Sequence, residues 1–171
     1  GRFRNSGVTK VDSKGEVTLK FCCPQPYSTT IHNKRHKETF YRHVHFCYSD
    51  KHGQKWLPTV YTKIVICKMN LDKTVSSLNK GSIVLINALP SNMYGMSHIP
   101  NSFNLHHKQI QQMSQDKLIE WFRTVVKLNY RKLNMLLSKR KLNVYELPIV
   151  VYCGHEKCNL SSKAAMALLR K

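Results

Sequence analysis

IVVYCGHEKCNLSSKAA, residues 149–165, carries the clearest structural signal in the chain. Its first four residues follow Pro148 and form an apolar, largely β-branched run, which is typical of a strand buried on both faces of a parallel sheet. The run ends at Cys153, and a polar loop follows. The alanine-rich residues beyond the loop predict a helix, with Ser161 and Ser162 as candidate N-caps. We therefore expect a strand, a loop and a helix, with a thiol at the carboxyl end of the strand.

Cys153 is a candidate reactive thiol because of this position. Ligands of α/β folds bind at the carboxyl ends of parallel strands, and loop amides together with a helix N-terminus favour an anion there. Such surroundings lower the pKa of a cysteine, and the thiolate is the nucleophile. His155 and Lys157 would add positive potential. A buried structural cysteine at a strand end is the alternative that the spacing leaves open.

The residues that precede this stretch predict further strands and helices. Residues 64–67 and 83–86 are short apolar runs typical of buried strands, and residues 71–78 between them predict a helix. Residues 114–137 predict one long amphipathic helix, because Ser114 is a candidate N-cap and apolar residues then recur with helical spacing. Strands that alternate with helices imply a parallel sheet covered on both faces. We expect one such domain over residues 63–171.

Residues 1–62 predict a small, basic, β-rich appendage. Residues 16–22 and 42–48 alternate apolar with polar side chains, which is the period of a half-buried strand, and residues 50–53 predict a turn. The potential metal ligands of the appendage are Cys22, Cys23, His32, His36, His43, His45, Cys47 and His52, with Cys22, His43, His45 and Cys47 as the candidates for a zinc site. Their spacing lacks a regular pair of Cys or His ligands. We therefore expect no cofactor, with zinc as the alternative.

The formal net charge of +19 at pH 7 is spread along the chain. A surface this positive attracts polyanions such as nucleic acid, or acidic faces of proteins, and a merely solvated basic surface is the alternative. Six cysteines without regular spacing indicate reduced thiols rather than a disulfide framework. No apolar stretch is long enough to span a membrane. We expect an intracellular reducing compartment, the cytoplasm or nucleus, or the inside of a viral particle.

Two separated segments resemble the signatures of the rhodanese-like family. VLINALP, residues 84–90, followed by Tyr94 and by HIPNSFN, residues 98–104, is similar to the first signature of that family. Residues 149–165 are similar to its active-site loop, in a variant of the form CxxxxCxxS. The resemblance implies an α/β fold with a parallel sheet flanked by helices. It also implies that Cys153 accepts a sulfane sulfur from a donor, holds it as a persulfide and passes it to a thiol acceptor.

The resemblance assigns further site residues and shows departures from the family. The loop residues are Gly154, His155, Glu156, Lys157, Cys158, Asn159 and Ser161, and the motif residues are Asn87, His98 and Pro100. Asn87, Ala88 and Leu89 stand where catalytic members commonly carry Asp-x-Arg. Cys158 can resolve a persulfide on Cys153 as a disulfide, join a metal site, or simply pack. We expect His98 to be structural. Members of the family usually continue into another strand and helix, so we expect either that this remainder is missing or that another segment, such as the N-terminal appendage, completes the sheet.

These features predict a rhodanese-like sulfurtransferase, or a thiol-redox relative, that uses Cys153. The resemblance specifies neither the sulfur donor nor the thiol acceptor. The alternative is a non-catalytic rhodanese-like scaffold in a basic structural or assembly protein, associated with nucleic acid or part of a virion. The fold is common to both and does not separate them. The retained cysteine favours the enzyme, whereas the missing Asp-x-Arg and the high charge favour the scaffold.

Overall fold

The computed structural model describes residues 5–25, 27–30 and 37–171. It divides into two compact units, an N-terminal unit, Gly1–Cys67, and a C-terminal unit, Lys68–Lys171. His32 and His36, two of the potential metal ligands, lie outside the described residues.

The N-terminal unit contains two antiparallel strand pairs. Strand β1 Tyr27–Thr30 pairs with β2 Lys37–Phe40, and β3 His43–Phe46 pairs with β4 Tyr61–Ile64. Stacked aromatic rings join the strands of each pair, since the ring centroids of Tyr27 and Phe40 lie 5.2 Å apart and those of Phe46 and Tyr61 lie 5.6 Å apart. None of the residues of this unit whose side chains are described is buried. The described part of the unit therefore has ring pairs but no buried side chains.

Strand β3 confirms the strand predicted over residues 42–48. Two other predictions in this region are wrong. Residues 16–22 form no strand, because an alternating pattern also needs a partner strand to complete its hydrogen bonds. Residues 64–67 do not begin the parallel sheet. Ile64 ends β4 and pairs with His43 of β3, and an apolar run by itself does not specify its partner strand.

A disulfide joins Cys23 to Cys67, whose Cα atoms lie 5.8 Å apart. The expectation of reduced thiols is therefore wrong for this pair, which is separated by 44 residues. Connectivity of this kind cannot be deduced from sequence alone. Disulfides persist mainly in oxidising environments, so this bond weighs against the reducing compartment expected from the sequence. The free cysteines are Cys22, Cys47, Cys153 and Cys158.

The C-terminal unit confirms the predicted α/β fold, a parallel sheet flanked by helices. Its strands are β5 Val84–Asn87, β6 Phe103–Asn104 and β7 Ile149–Tyr152, in the order β6, β5, β7. Its helices are α1 Leu71–Asn79, α2 Ser91–Met96, α3 His107–Gln112, α4 Gln115–Asn129, α5 Arg131–Ser138 and α6 Leu160–Leu169. All residues of the central strand β5 are buried, which explains its continuous apolar run. None of the described helices is long and apolar enough to cross a membrane.

The single long helix predicted over residues 114–137 is wrong, because the helix breaks at Tyr130. Ser114 caps α4 as predicted, but Tyr130 has non-helical dihedral angles, with φ −129° and ψ 77°. Its ring is buried, and its hydroxyl donates to the carbonyl oxygen of Asn101 at 3.2 Å. Apolar residues continue at helical spacing on both sides of the break. The periodicity therefore gives no sign of a turn that is stabilised by a distant contact.

Candidate active site

Cys153 follows β7 directly and opens the loop that leads to α6. Its half-buried sulfur lies 3.2 Å from the carbonyl oxygen of Cys158 and 3.3 Å from the Ser161 hydroxyl oxygen. The carbonyl oxygen of His155 is more distant, at 3.9 Å. The loop is closed internally by a hydrogen bond from the Cys158 amide to the His155 carbonyl, at 3.0 Å. The loop therefore curls around the sulfur at the carboxyl end of a parallel strand.

These surroundings lower the pKa of the Cys153 thiol below its ordinary value. Burial alone raises the pKa, because desolvation disfavours the thiolate. Hydrogen bonds from the side chains of Ser161 and Cys158, and from the backbone at Ser161 and His155, outweigh burial. The Cys158 carbonyl oxygen instead favours the protonated thiol, because a carbonyl oxygen can only accept a hydrogen bond. The Ser161 hydroxyl can donate or accept, so it fits both forms of Cys153.

Ser161 reaches the sulfur from the first turn of α6. The helix begins at Leu160, with Asn159 at the N-cap and without a side-chain capping bond. The prediction that Ser161 or Ser162 caps this helix is therefore wrong by two or three positions. The first amides of a helix lack acceptors within the helix, and the backbone at Ser161 contributes to the lowered pKa of Cys153.

The structure brings only part of the predicted loop to the sulfur. Cys158, Ser161 and the backbone of His155 contribute, as described above. The loop residues exposed to solvent are Gly154, His155, Glu156, Lys157 and Asn159. A Cβ atom added to Gly154 would meet only the Leu89 side chain, at 3.8 Å. The loop backbone at this position therefore has room for a methyl group.

Asn87 stands at the end of β5, where catalytic members of the resembled family carry an acid. Its side-chain oxygen accepts a hydrogen bond from the Leu89 amide at 2.8 Å. Asn104 donates to the Leu89 carbonyl at 2.7 Å and so holds the same turn. The Asn87 side-chain nitrogen is buried and has no hydrogen-bond partner among the described residues. Asn87 thus keeps the acceptor that shapes the turn but carries no negative charge.

Tyr152, which precedes Cys153, connects the two sequence signatures. Its hydroxyl accepts from the Ile99 amide at 2.9 Å and bonds the Ser102 hydroxyl at 2.8 Å. In the same turn, His98 stacks on Tyr94 with ring centroids 4.0 Å apart and bonds the Tyr94 carbonyl oxygen at 2.9 Å. Pro100 is exposed in that turn. We did not predict Tyr152, although an aromatic residue with a polar tip at the end of an apolar strand is a signal for such a contact.

The candidate metal ligands of the N-terminal unit come together only in part. The Nε2 atoms of His43 and His45 lie 3.2 Å apart. Cys22 and Cys47 are exposed. Among the described residues, no group of three or more His, Cys, Asp or Glu is arranged to hold a metal ion. The described residues therefore do not form a closed zinc site with four protein ligands.

A protein-family model described as the rhodanese-like domain matches residues 70–171. No curated protein and no solved structure matches the chain. The matched range covers more than half of the 171 residues and includes both sequence signatures. It also contains Cys153 and the loop around its sulfur.

Proposed function

This chain belongs to the rhodanese-like domain family, and from that premise we propose that it is a sulfurtransferase or thiol-redox protein that carries sulfur as a persulfide on Cys153. The observation that carries the proposal is the position of the Cys153 sulfur, at the end of β7 and within 3.3 Å of the Ser161 hydroxyl. The lowered pKa of Cys153 increases the fraction of thiolate, which is the form that attacks sulfur.

The reaction consists of two sulfur transfers. In the first, the Cys153 thiolate attacks the sulfane sulfur of a donor such as thiosulfate. A bond forms between the two sulfur atoms, and the donor bond breaks with its electron pair leaving on sulfite. In the second, a thiophile such as cyanide or a thiolate attacks the outer sulfur, and Cys153 leaves as a thiolate. Neither step needs an external oxidant.

The loop is suited to hold the anionic intermediate. A persulfide carries negative charge on its outer sulfur, and fixed hydrogen-bond donors stabilise such charge where water is excluded. The Ser161 hydroxyl and the first amides of α6 are donors of this kind, and the positive end of the helix dipole adds to them. The Ser161 hydroxyl oxygen already lies 3.3 Å from the Cys153 sulfur, so these donors need to reach only slightly further to contact a second sulfur.

Cys158 offers the thiol-redox branch. The Cys153 sulfur lies 3.2 Å from the Cys158 carbonyl oxygen, and the Cys158 side chain helps to lower the pKa of Cys153, so the two residues are neighbours in the loop. A Cys158 thiolate that attacks the inner sulfur of the persulfide would form a disulfide with Cys153 and release hydrosulfide. This step also balances without an external oxidant. A Cys158→Ser variant distinguishes the sulfurtransferase from the thiol-redox protein, because it should keep sulfur transfer and lose the disulfide with Cys153.

The test is a thiosulfate:cyanide sulfurtransferase assay on the full chain. We expect the wild type to form thiocyanate, and Cys153→Ser to lose all activity above the uncatalysed rate. Cys47→Ser is the matched control, because Cys47 is an exposed free thiol in the N-terminal unit. We expect it to keep wild-type activity. Equal rates in the wild type and Cys153→Ser would refute the assignment of Cys153.

A second candidate function is a basic scaffold that binds a polyanion. It is favoured by the exposed basic residues of α4, α5 and the turn after them: Lys117, Arg123, Lys127, Arg131, Lys132, Lys139, Arg140 and Lys141. Titration of a fluorescent DNA duplex at increasing salt tests this function. Counterion release predicts that the logarithm of the affinity falls linearly with the logarithm of salt concentration. If the affinity for the duplex does not change with salt concentration, the basic residues do not bind the polyanion electrostatically.

A further inference from the structure

We propose that His43 and His45 form a two-histidine site for a divalent transition-metal ion on β3. The two residues are separated by one position, and side chains at i and i+2 of a strand lie on the same face. Their Nε2 atoms approach to 3.2 Å. His45 is exposed and His43 is half-buried, so an ion can reach the pair from solvent.

Each imidazole is held through its other ring nitrogen. His43 Nδ1 lies 2.6 Å from the carbonyl oxygen of Tyr41. That oxygen only accepts, so Nδ1 carries the proton and the neutral ring presents a bare lone pair at Nε2. His45 Nδ1 lies 2.8 Å from the Thr62 hydroxyl oxygen on β4. Outer hydrogen bonds of this kind orient the histidines of metal sites and fix their tautomer.

The distance between the two Nε2 atoms fits a shared metal ion. Zinc–nitrogen bonds of about 2.0–2.1 Å at a tetrahedral angle place two imidazole nitrogens about 3.3 Å apart. The observed separation is 3.2 Å. Two bare lone pairs at this distance repel each other unless a cation or a proton lies between them. The pair is thus arranged to share one positively charged particle.

The Thr62 hydroxyl allows either a proton or a metal ion to lie between two neutral histidines. When the Thr62 hydroxyl donates to His45 Nδ1, the proton of His45 lies on Nε2 and is shared with His43 Nε2. When the hydroxyl turns and accepts, the His45 proton moves to Nδ1, and both Nε2 lone pairs are free for a metal. Rotation of one hydroxyl therefore changes the pair from a hydrogen bond to a chelate.

The ion would take two ligands from the described residues and keep open positions. No third His, Cys, Asp or Glu of the described part of the chain joins His43 and His45. Water or another ligand would complete the coordination shell. Imidazole suits Zn²⁺, Cu²⁺ and Ni²⁺, and a site with two protein ligands binds more weakly than a closed structural zinc site. The geometry therefore points to a reversible site for a divalent transition metal.

Calorimetric titration of the full chain with Zn²⁺ tests this proposal. The chain is first treated with iodoacetamide, which removes the free thiols as competing ligands. We expect one ion per chain, and His43→Gln and His45→Gln each to weaken binding by about tenfold or more. Thr62→Val should weaken it by about tenfold, since it removes only the outer hydrogen bond. His52→Gln is the control, because His52 is exposed in the same unit and should bind as the wild type does.

An unchanged affinity in both His43→Gln and His45→Gln would overturn the proposal, and so would an equal loss in His52→Gln. Because a substitution on β3 can disturb the strand, nitrogen NMR of the wild type provides a second measurement. Saturation with Zn²⁺ should shift the Nε2 signals of His43 and His45 far more than their Nδ1 signals. If neither Nε2 signal moves, the site does not exist.

Discussion

The two units of this chain are stabilised by different means. In the C-terminal unit, the side chains of Val84, Leu85 and Ile86 are fully buried at the centre of the sheet. In the N-terminal unit, Trp56 and Val60 are 55% and 63% exposed, and the link between Cys23 and Cys67 replaces a core. Small units without enough buried apolar surface commonly depend on such a staple. The candidate reactive thiol, Cys153, therefore belongs to the unit that has the buried core.

The largest expected effect is the loss of the disulfide. Cys67→Ser should lower the free energy of unfolding of the N-terminal unit by about 4 kcal/mol, because the bond closes a loop of 44 residues. The two tryptophans separate the units, since Trp56 lies in the first and Trp121 in the second. Urea unfolding of a Trp121→Phe background therefore follows the N-terminal unit alone.

Cys22→Ser is the matched control for this variant, because Cys22 is the free neighbour of Cys23. We expect its unfolding midpoint to equal that of the wild type. If Cys67→Ser also leaves the Trp56 transition in place, the disulfide does not stabilise the unit, and the contrast between the two units fails.

A buried side chain should matter mainly in the C-terminal unit. Ile86→Ala leaves a cavity in a fully buried strand and should cost about 3 kcal/mol. Val44→Ala, on the half-buried strand β3, should cost about 1 kcal/mol. Fluorescence of Trp121 in a Trp56→Phe background measures the first, and fluorescence of Trp56 in a Trp121→Phe background measures the second. Equal costs would show that β3 has a core as tight as that of β5.

Ser161→Ala should raise the pKa of Cys153, because it removes the first hydrogen bond that opposes burial. A thiolate is alkylated and a thiol is not, so the alkylation rate rises with pH and levels off above the pKa. The variant should move this rise to higher pH and slow alkylation at pH 7 by roughly tenfold, as expected for one hydrogen bond to a charged group.

Peptide mass spectrometry of the iodoacetamide adduct measures this rate for each cysteine separately. Exposed Ser162, the next residue of α6, supplies the control, and Ser162→Ala should keep the wild-type profile. If the alkylation rate of Cys153 depends on pH identically in Ser161→Ala and the wild type, the serine hydroxyl does not lower the pKa of Cys153.

The smallest effects concern two glycines. Gly53 in the N-terminal unit has φ +70°, a left-handed conformation in which a side chain is strained, so Gly53→Ala should cost about 1 kcal/mol. Gly154 beside Cys153 has space for a methyl group, so Gly154→Ala should change neither stability nor thiocyanate formation. Urea unfolding and the sulfurtransferase assay measure these outcomes. Loss of activity in Gly154→Ala would mean that the loop must move during turnover.

The sequence was sufficient for the elements that local pattern controls. Strands β5 and β7 are short apolar runs bounded by turn residues. Burial on both faces produces that pattern in β5, whereas β7 is half-buried, so the expectation that it is buried on both faces is wrong. The break at Tyr130 and the link between Cys23 and Cys67 could not be predicted. Both depend on contacts between residues far apart in sequence.

The candidate site was predictable to a similar extent. The position of Cys153 at the carboxyl end of a parallel strand could be predicted because the apolar run specifies where that strand ends. The roles of Ser161 and Tyr152 could not. Ser161 lies beside the sulfur in the first turn of α6 because the helix begins at Leu160, two residues earlier than an N-cap at Ser161 would place its start. The partners of Tyr152 lie in a distant turn.

Intact mass spectrometry of the full chain after incubation with thiosulfate addresses the persulfide itself. We predict a gain of about 32 Da, the mass of one sulfur atom, that is lost on addition of cyanide. The gain should be absent in Cys153→Ser and present in Cys47→Ser. A wild-type chain that never gains this mass, or a Cys153→Ser chain that gains it equally, would contradict the assignment of Cys153 as the sulfur carrier.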